Sequence, residues 1–362
     1  MKFKKIAALC MAAAMALSMV ACGSSSSTAS TESSTAESTV ESTTDTTDSS
    51  TETVDTPDVT DAAGVTSLNV AIIPKCVHEW FELVNQGAQI EASAIKESLG
   101  IDVTVNYMAP SSADITEQNA VLEQAASTQP DFIAIDPVDY EGSKQVIEEI
   151  QEQGITVILF DAAVEGSGLT SIGNSFAEQG ELEAKDLAER LGGKGKVAVM
   201  HGVTTSPNHC ERYDAMQAVL AEYPDIEVID GGASQDNIET AQQQAAAVIA
   251  ANPDLDGYLC VDGAAPIGIS AAINEADKKG EITFVGAENL LQILEYIKDG
   301  TICCSYSVQP QMQGEYCVLL ALQDKMGIEL PSYIDTGITY IDQSNVDEMI
   351  QALEDYNAQA AQ

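Results

Sequence analysis

Four acidic residues stand directly after short apolar runs: Asp136 after Phe132-Ile-Ala-Ile135, Asp161 after Thr156-Val-Ile-Leu-Phe160, Asp262 after Tyr258-Leu-Cys-Val261, and Glu288 after Thr283-Phe-Val-Gly-Ala287. Carboxylates accept hydrogen bonds from pairs of hydroxyls, and charge-assisted bonds are the stronger kind. The same residue types also cap helix N-termini, so each acid is read as a ligand contact or as a cap. Trp80 is the only tryptophan and follows another apolar run that ends at Ile73. Its ring either stacks on the flat apolar face of a ligand or packs between parts of the fold. Lys75 donates to ligand oxygens, neutralises the carboxylates, or is simply solvated. Cys76, His78, His209 and Cys210 pair thiol with imidazole, the ligand types of zinc. Their Cys-x-His and His-Cys spacings are not those of zinc sites, however, and the pairs lie far apart in sequence. No metal and no cofactor is therefore expected, and His78 and His209 are read as donors to ligand hydroxyls.

The elements that must position these residues alternate. Expected strands are Leu68–Ile73, Val103–Tyr107, Asp131–Ile135, Thr156–Phe160, Lys196–Met200, Ile226–Asp230, Gly257–Val261, Thr283–Gly286 and Ile302–Ser307. Most are near-continuous apolar runs, as in strands buried on both faces. Between the first two, Phe81, Val84, Ala88, Ala92, Ile95 and Leu99 recur at helical spacing. Alternating strands and helices predict parallel sheets with right-handed crossovers. The chain also repeats itself. Gln129-Pro-Asp131 and Asn252-Pro-Asp254 each lead into a strand ending in an acid, then a helix, a glycine (Gly154, Gly280) and a second strand ending in an acid. Two similar α/β lobes follow, with a first break near Ser171–Asn174. Ligands of such sheets sit beyond the carboxyl ends of the strands, so facing lobes would bring the four acids to one cleft.

This arrangement resembles the type I periplasmic sugar-binding proteins, the ribose- and galactose-binding receptors of ABC transporters, over roughly residues 68–350. The similarity is carried by Ile72-Ile-Pro-Lys75 with Trp80-Phe81, by Ser171-Ile-Gly-Asn174, by Phe284-Val-Gly-Ala-Glu288, and by Val308-Gln-Pro-Gln-Met-Gln-Gly314. It implies doubly wound parallel-sheet lobes joined by a multi-strand hinge, with Trp80 and Phe81 stacking on a sugar and Gln309 near the ligand. The lobes would comprise 67–171 plus 310–336 and 172–309 plus 337–362. Two departures stand out. The Asp-Arg pair common after the fourth strand is Asp161-Ala162 here, and the usual ligand-binding arginine is read as replaced by His209 or Cys210. Pro74-Lys75 is similar instead to rhamnose-type receptors and to receptors of a furanosyl autoinducer. In those, the lysine and the Asp161-like acid contact ligand.

The N-terminus carries Met1-Lys-Phe-Lys-Lys5, an uncharged apolar stretch Ile6–Val20, and Ser18-Met-Val-Ala-Cys22-Gly23. This is a secretory pattern whose end resembles a lipobox, with residues 1–21 as signal and Cys22 as the lipidated residue. Residues 23–66 hold 24 Ser or Thr among 44 positions, too little apolar surface to fold, so 22–66 reads as a disordered tether. The formal net charge of −42 excludes a nucleic-acid partner. Removing residues 1–66 takes away nine acids and three lysines, which leaves −36 on the folded body. The eight cysteines do not form the disulfide framework of a small secreted domain, and most read as small buried hydrophobes. There is no Gly-x-Ser-x-Gly elbow and no phosphate loop; Gly192-Gly-Lys-Gly-Lys196 precedes a strand and reads as a helix stop. The expectation is thus a monomeric, lipid-anchored, extracytoplasmic receptor for a small sugar or polyol. It would perform no chemistry and would dock on ABC permease transmembrane subunits. An autoinducer receptor or a metal-binding receptor are the alternatives.

Overall fold

The structure, a computed structural model, describes residues 64–164 and 166–360. The signal segment, Cys10, Cys22 and nearly all of the tether therefore lie outside the described residues. By its contacts the chain divides into Met1–Pro57 and Asp58–Gln362, and every described residue belongs to the second unit.

Two six-stranded sheets form the framework. The first runs β2 (Asp102–Tyr107), β1 (Ser67–Ile73), β3 (Phe132–Ile135), β4 (Thr156–Phe160), β5 (Ser171–Gly173) and β11 (Tyr333–Asp335), with every neighbouring pair parallel. The second runs β7 (Asp225–Ala233), β6 (Lys194–His201), β8 (Gly257–Cys260), β9 (Thr283–Ala287), β10 (Cys304–Ser307) and β12 (Thr339–Asp342). All nine expected strands are present, with ends within three residues of expectation. Three are additional: β5, β11 and β12, of three or four residues each, are too short to stand out as apolar runs. One pairing corrects the all-parallel expectation, because β12 runs antiparallel to β10. A strand that leaves the first sheet at its carboxyl end enters the second from the side between the lobes. It must then run against strands whose carboxyl ends face that side.

Strand alternation divides the core as the pleat requires. Leu68, Val70 and Ile72 of β1 join one apolar cluster, whereas Ala71 and Ile73 join another. In β6, Ala198 and Met200 part from Val197 and Val199 in the same way. Helices α1 (Glu79–Leu99), α2 (Ile115–Ser127) and α3 (Tyr140–Gln151) connect the early strands; α4 (Phe176–Arg190), α5 (Pro207–Leu220), α6 (Ile238–Ala251), α7 (Ala265–Glu275) and α8 (Leu291–Asp299) belong to the second half. The chain returns through α9 (Pro310–Lys325), and α10 (Val346–Ala360) closes it. Asp114, Asp139, Ser175 and Asn237 cap α2, α3, α4 and α6 through their side chains. The expected face of α1 is buried from Phe81 to Ile95, but Leu99 is exposed in the last turn before the Gly100 cap. Helices α1 and α9 cross at two glycines: a Cβ on Gly87 would lie 2.0 Å from the Gln311 carbonyl oxygen, and one on Gly314 1.9 Å from that of Val84. This contact seats α9 on the first sheet and fixes where the chain re-enters it.

Cys76, Cys260, Cys304 and Cys317 are buried, Cys210 and Cys303 are half-buried, and all six are free thiols. Gly192 and Gly193 sit at positive φ directly after α4 ends, as a helix stop requires. Among the described residues no helix is long and apolar enough to cross a membrane.

Candidate functional site

The carboxyl ends of β1, β3 and β4 carry Lys75, Asp136 and Asp161; those of β7, β8 and β9 carry Asp236, Asp262 and Glu288. Between them lies a cavity lined by Lys75, His78, Trp80, Phe81, Asp161, Asn208, His209, Arg212, Asp236, Asp262, Gly263 and Glu288. The cavity volume is about 20 Å³. A pyranose ring enters only if the two sheets part. A larger groove, about 1430 Å³, runs past Val164, Leu169, Leu330 and Tyr333 and holds none of the expected ligand groups.

Lys75 is the centre of the site. It is buried, and its Nζ lies 3.4 Å from Asp136 Oδ2, 3.5 Å from Asp161 Oδ2 and 3.9 Å from Asp236 Oδ2. It also donates to Ser206 Oγ at 3.4 Å and Asn208 Oδ1 at 3.3 Å, and it stands 3.3 Å from His209 Nε2. Burial alone would drive its proton off, but the aspartates outweigh burial and raise its pKa above the ordinary lysine value. The solvated alternative is thereby removed. Beneath the stem, the Phe81 ring lies 5.7 Å from Nζ.

Arg212 anchors the other side. Its guanidinium stacks 4.5 Å over Phe176 and donates to Gln179 Oε1 (2.7 Å), the Val261 carbonyl (3.0 Å) and Glu288 Oε1 (3.4 Å). Trp80 Nε1 donates to the other Glu288 oxygen at 2.8 Å. The tryptophan thus links the two sheets and also lines the cavity. Burial pushes Glu288 up to about 7 despite Arg212. Asp262 is also pushed up to about 7, by burial and then by Asp236. Burial carries Asp136 well above the carboxylate range, and Glu183, behind Arg212, with it. Burial, then Lys75 and Arg212, holds His209 well below its ordinary value, so its ring is neutral.

Backbone strain is concentrated here. Asp161, Asp236 and Glu288 have φ of 56°, 53° and 70°, a left-handed conformation that costs a non-glycine residue roughly 1–3 kcal/mol. At Gly202 a Cβ would lie 2.3 Å from His209 Nδ1, so only glycine lets the ring pack against this turn. His209 Nδ1 accepts from Val203 N at 2.9 Å, which turns Nε2 toward Lys75.

Nine of the eleven expected ligand residues gather at this site: Lys75, His78, Trp80, Phe81, Asp136, Asp161, His209, Asp262 and Glu288. Asp262 also fulfils the capping alternative, since its Oδ1 accepts from Ala264 N and Ala265 N while Oδ2 accepts from Ser234. His78 caps α1 through Nδ1 and keeps Nε2 without a partner. Two are elsewhere. Cys210 is turned away, its Sγ donating to the Thr204 carbonyl, and Gln309 donates to Thr339 Oγ1 beside a separate pocket with Met312 and Tyr356. The structure adds Ser206, Asn208, Arg212 and Asp236. Arg212, three residues beyond His209 on α5, brings to the cavity a guanidinium that the sequence reading did not single out. Among the described residues no group of His, Cys, Asp and Glu side chains is arranged to hold a metal ion.

Two α/β lobes with strand ends converging on a buried polar cavity define a two-lobed solute-binding fold. Residues 70–327 match the periplasmic binding protein domain family, and the chain belongs to that family, with the type I architecture. It is similar to a D-ribose/D-allose-binding protein of Pseudomonas aeruginosa, 23% identical over 236 residues, covering 62% of this chain and 72% of that one. It is also similar to a xylitol-binding protein of Mycolicibacterium smegmatis, 24% identical, covering 52% of this chain and 54% of that one. Among solved structures, an ABC transporter solute-binding protein of Agrobacterium vitis bound with α-D-tagatopyranose superposes with a TM-score of 0.73 at 25% identity, covering 80% and 98% of the two chains. A solute-binding protein of Burkholderia graminis in complex with D-arabinose gives 0.72 at 25% identity, covering 77% and 96%. These relatives bind solutes and are not enzymes.

Proposed function

We propose that this chain is the extracytoplasmic solute-binding receptor of an ABC importer and captures a small sugar or polyol between its lobes. The observation that carries this reading is the cavity itself, where hydrogen-bonding groups from six strand ends surround the Trp80 and Phe81 rings. The sugar and polyol ligands of its relatives support the same class. Sheet membership supports two lobes close to those expected from the sequence, 67–171 plus 310–336 and 172–309 plus 337–362, but with the first break after β5, at residue 173 rather than 171. Three inter-sheet links, after β5, β10 and β11, form the hinge on which the lobes close. The closed form is the species that docks on the permease. Cys22 holds the mature chain on the outer membrane face through its lipid, and the receptor works as a monomer. A thermal-shift screen over pentoses, deoxyhexoses, hexoses and alditols tests the reading: stabilisation by at least one member is expected, and silence across the set would overturn it. The 3.5 Å approach of Lys75 to Asp161 favours one second reading, a receptor for a furanosyl autoinducer. Including that compound in the screen separates the two.

A further inference from the structure

The charges in the cavity do not balance. Asp136, Asp161, Asp236, Asp262 and Glu288 meet two cations, Lys75 and Arg212. Arg212 is committed to Glu288, with Glu183 beside it, and Asp262 is satisfied by Ser234 and two backbone N–H groups. That leaves three aspartates from both lobes around the single ammonium of Lys75. Their side chains are almost wholly buried, at 0–6% exposure. Asp161 Oδ1 and Asp136 Oδ1 have no hydrogen-bond partner, and Asp136 Oδ2 and Asp236 Oδ2 have ion-pair contacts alone, to Lys75 at 3.4 and 3.9 Å and from Asp236 to His209 Nε2 at 3.8 Å. Buried carboxylate oxygens without donors are costly, and the species that relieves them carries positive charge and N–H donors. A neutral hydroxyl supplies a donor but leaves the charge; an anionic sugar adds to it.

We infer that the cleft selects a cationic polyol, a small polyhydroxylated amine of the amino-sugar or aminoalditol class, whose ammonium group joins that of Lys75 among Asp136, Asp161 and Asp236. This rests on the receptor reading above and narrows its ligand class. Lys75 itself demonstrates the seat, as an alkylammonium held by three carboxylates and by Ser206 and Asn208. With Asp136 favouring its proton, Asp161 and Asp236 still carry one negative charge more than that lysine balances. The tendency of Asp136, Asp262 and Glu288 to hold protons, each raised chiefly by burial, expresses the same excess. Selection against anions follows from the same groups, since discrimination is a difference of affinities that unpaired charge sharpens.

Isothermal titration of the full chain at pH 7 tests this with matched probes: glucosamine, galactosamine, mannosamine and 1-amino-1-deoxysorbitol, against glucose, galactose, mannose and sorbitol, with glucuronate as the anion. At least one amine should bind tenfold or more tighter than its hydroxyl counterpart, and glucuronate should bind more weakly than either. In Asp236→Asn, whose amide still tolerates the positive φ, the amine-to-hydroxyl affinity ratio should fall toward one, whatever the two absolute affinities become. Neutral sugars binding as tightly as every amine, or an undiminished amine preference in Asp236→Asn, would overturn the inference alone. Silence from all nine probes would overturn this inference, and silence across the wider thermal-shift screen as well would overturn the sugar-receptor reading beneath it.

Discussion

Two buried cations sit at the same cleft in opposite ways. Arg212 makes its contacts within the second lobe, to Phe176, Gln179, Val261 and Glu288. Each nitrogen bonds one defined acceptor, at 2.7–3.4 Å. Lys75 stands on the first lobe but meets Ser206, Asn208, His209 and Asp236 of the second, at 3.3–3.9 Å. A planar fork suits a fixed framework, whereas a compact ammonium on a flexible stem suits a contact that is made and broken. The difference separates two duties. Arg212 builds a wall of the site and holds Glu288 toward Trp80; Lys75 reads the distance between lobes.

The largest expected effect comes from removing the framework cation. Arg212→Met strands Glu288 and Glu183 without their counter-charge in a buried site. Breaking a buried pair on one side costs roughly 3–5 kcal/mol, so a drop in unfolding free energy of about that size should appear in urea denaturation. A loss under about 1 kcal/mol would show that Arg212 is not the framework residue described above. Lys75→Met should be milder in stability, about 1–3 kcal/mol, because its longer contacts are looser and Asp136 already favours its proton. Its signature lies in geometry: small-angle scattering should show a larger radius of gyration than the parent, while Arg212→Met shifts the unfolding curve. Reversed signatures would invert the assignment of the two cations.

The same contrast has a pH counterpart. Burial holds Glu288 at about 7, against an ordinary value of 4.5. A carboxyl whose folded pKa is raised binds its proton more tightly in the folded chain. Its contribution is therefore complete below about 4.5 and is lost as pH rises through about 7. Glu288→Gln removes the titration and keeps an acceptor for Trp80. Between pH 5 and 8 the parent should lose up to about 3 kcal/mol relative to this variant, read as converging or crossing Tm curves. His209, with its depressed pKa, acts in the opposite sense, since its share is present above about 6.5 and lost on acidification. Both proteins contain it, so the difference between their curves isolates Glu288. Parallel curves would show that Glu288 titrates normally.

Most of this architecture is visible in the chain as a string. The apolar runs of β1, β3, β4, β6, β8 and β9 are long enough to announce buried strands, and the acid repeated after β3, β4, β8 and β9 marks the face where the site forms. Residues on α5 and in the β7–α6 loop are harder. Asn208 and Arg212 are four residues apart and His209 and Arg212 three, so one helix face presents all three to the cleft. That spacing is the signal in the sequence for Arg212, whereas resemblance alone points to His209-Cys210. Asp236 was hidden for another reason. β7 runs to Ala233 through Gly231 and Gly232, past the apolar run that ends near Asp230, so the loop that presents Asp236 begins later than hydropathy indicates. Gln309 was expected at the ligand through resemblance alone, and its side chain is instead bonded to Thr339. Contacts between distant elements are the part that periodicity does not encode.

The smallest change probes the one bond that ties the two cations' territories together. Trp80, in the first turn of α1, donates from the first lobe to Glu288, which Arg212 positions from the second. Trp80→Phe deletes that donor and part of the ring while preserving an aromatic against Phe81, which it meets edge-on at 5.1 Å. A lost hydrogen bond to a charged acceptor is worth about 1.5–3 kcal/mol, but Arg212 still pairs with Glu288, so a loss of about 1–2 kcal/mol is expected, below that of Arg212→Met. Because Trp80 is the only tryptophan, the parent's fluorescence reports this bond directly. Lys75→Met should shift its emission to the red as the lobes part and the indole meets water. A spectrum unchanged in Lys75→Met would mean that the lobes stay together without the lysine, leaving Trp80 and Glu288 as the contact that governs closure.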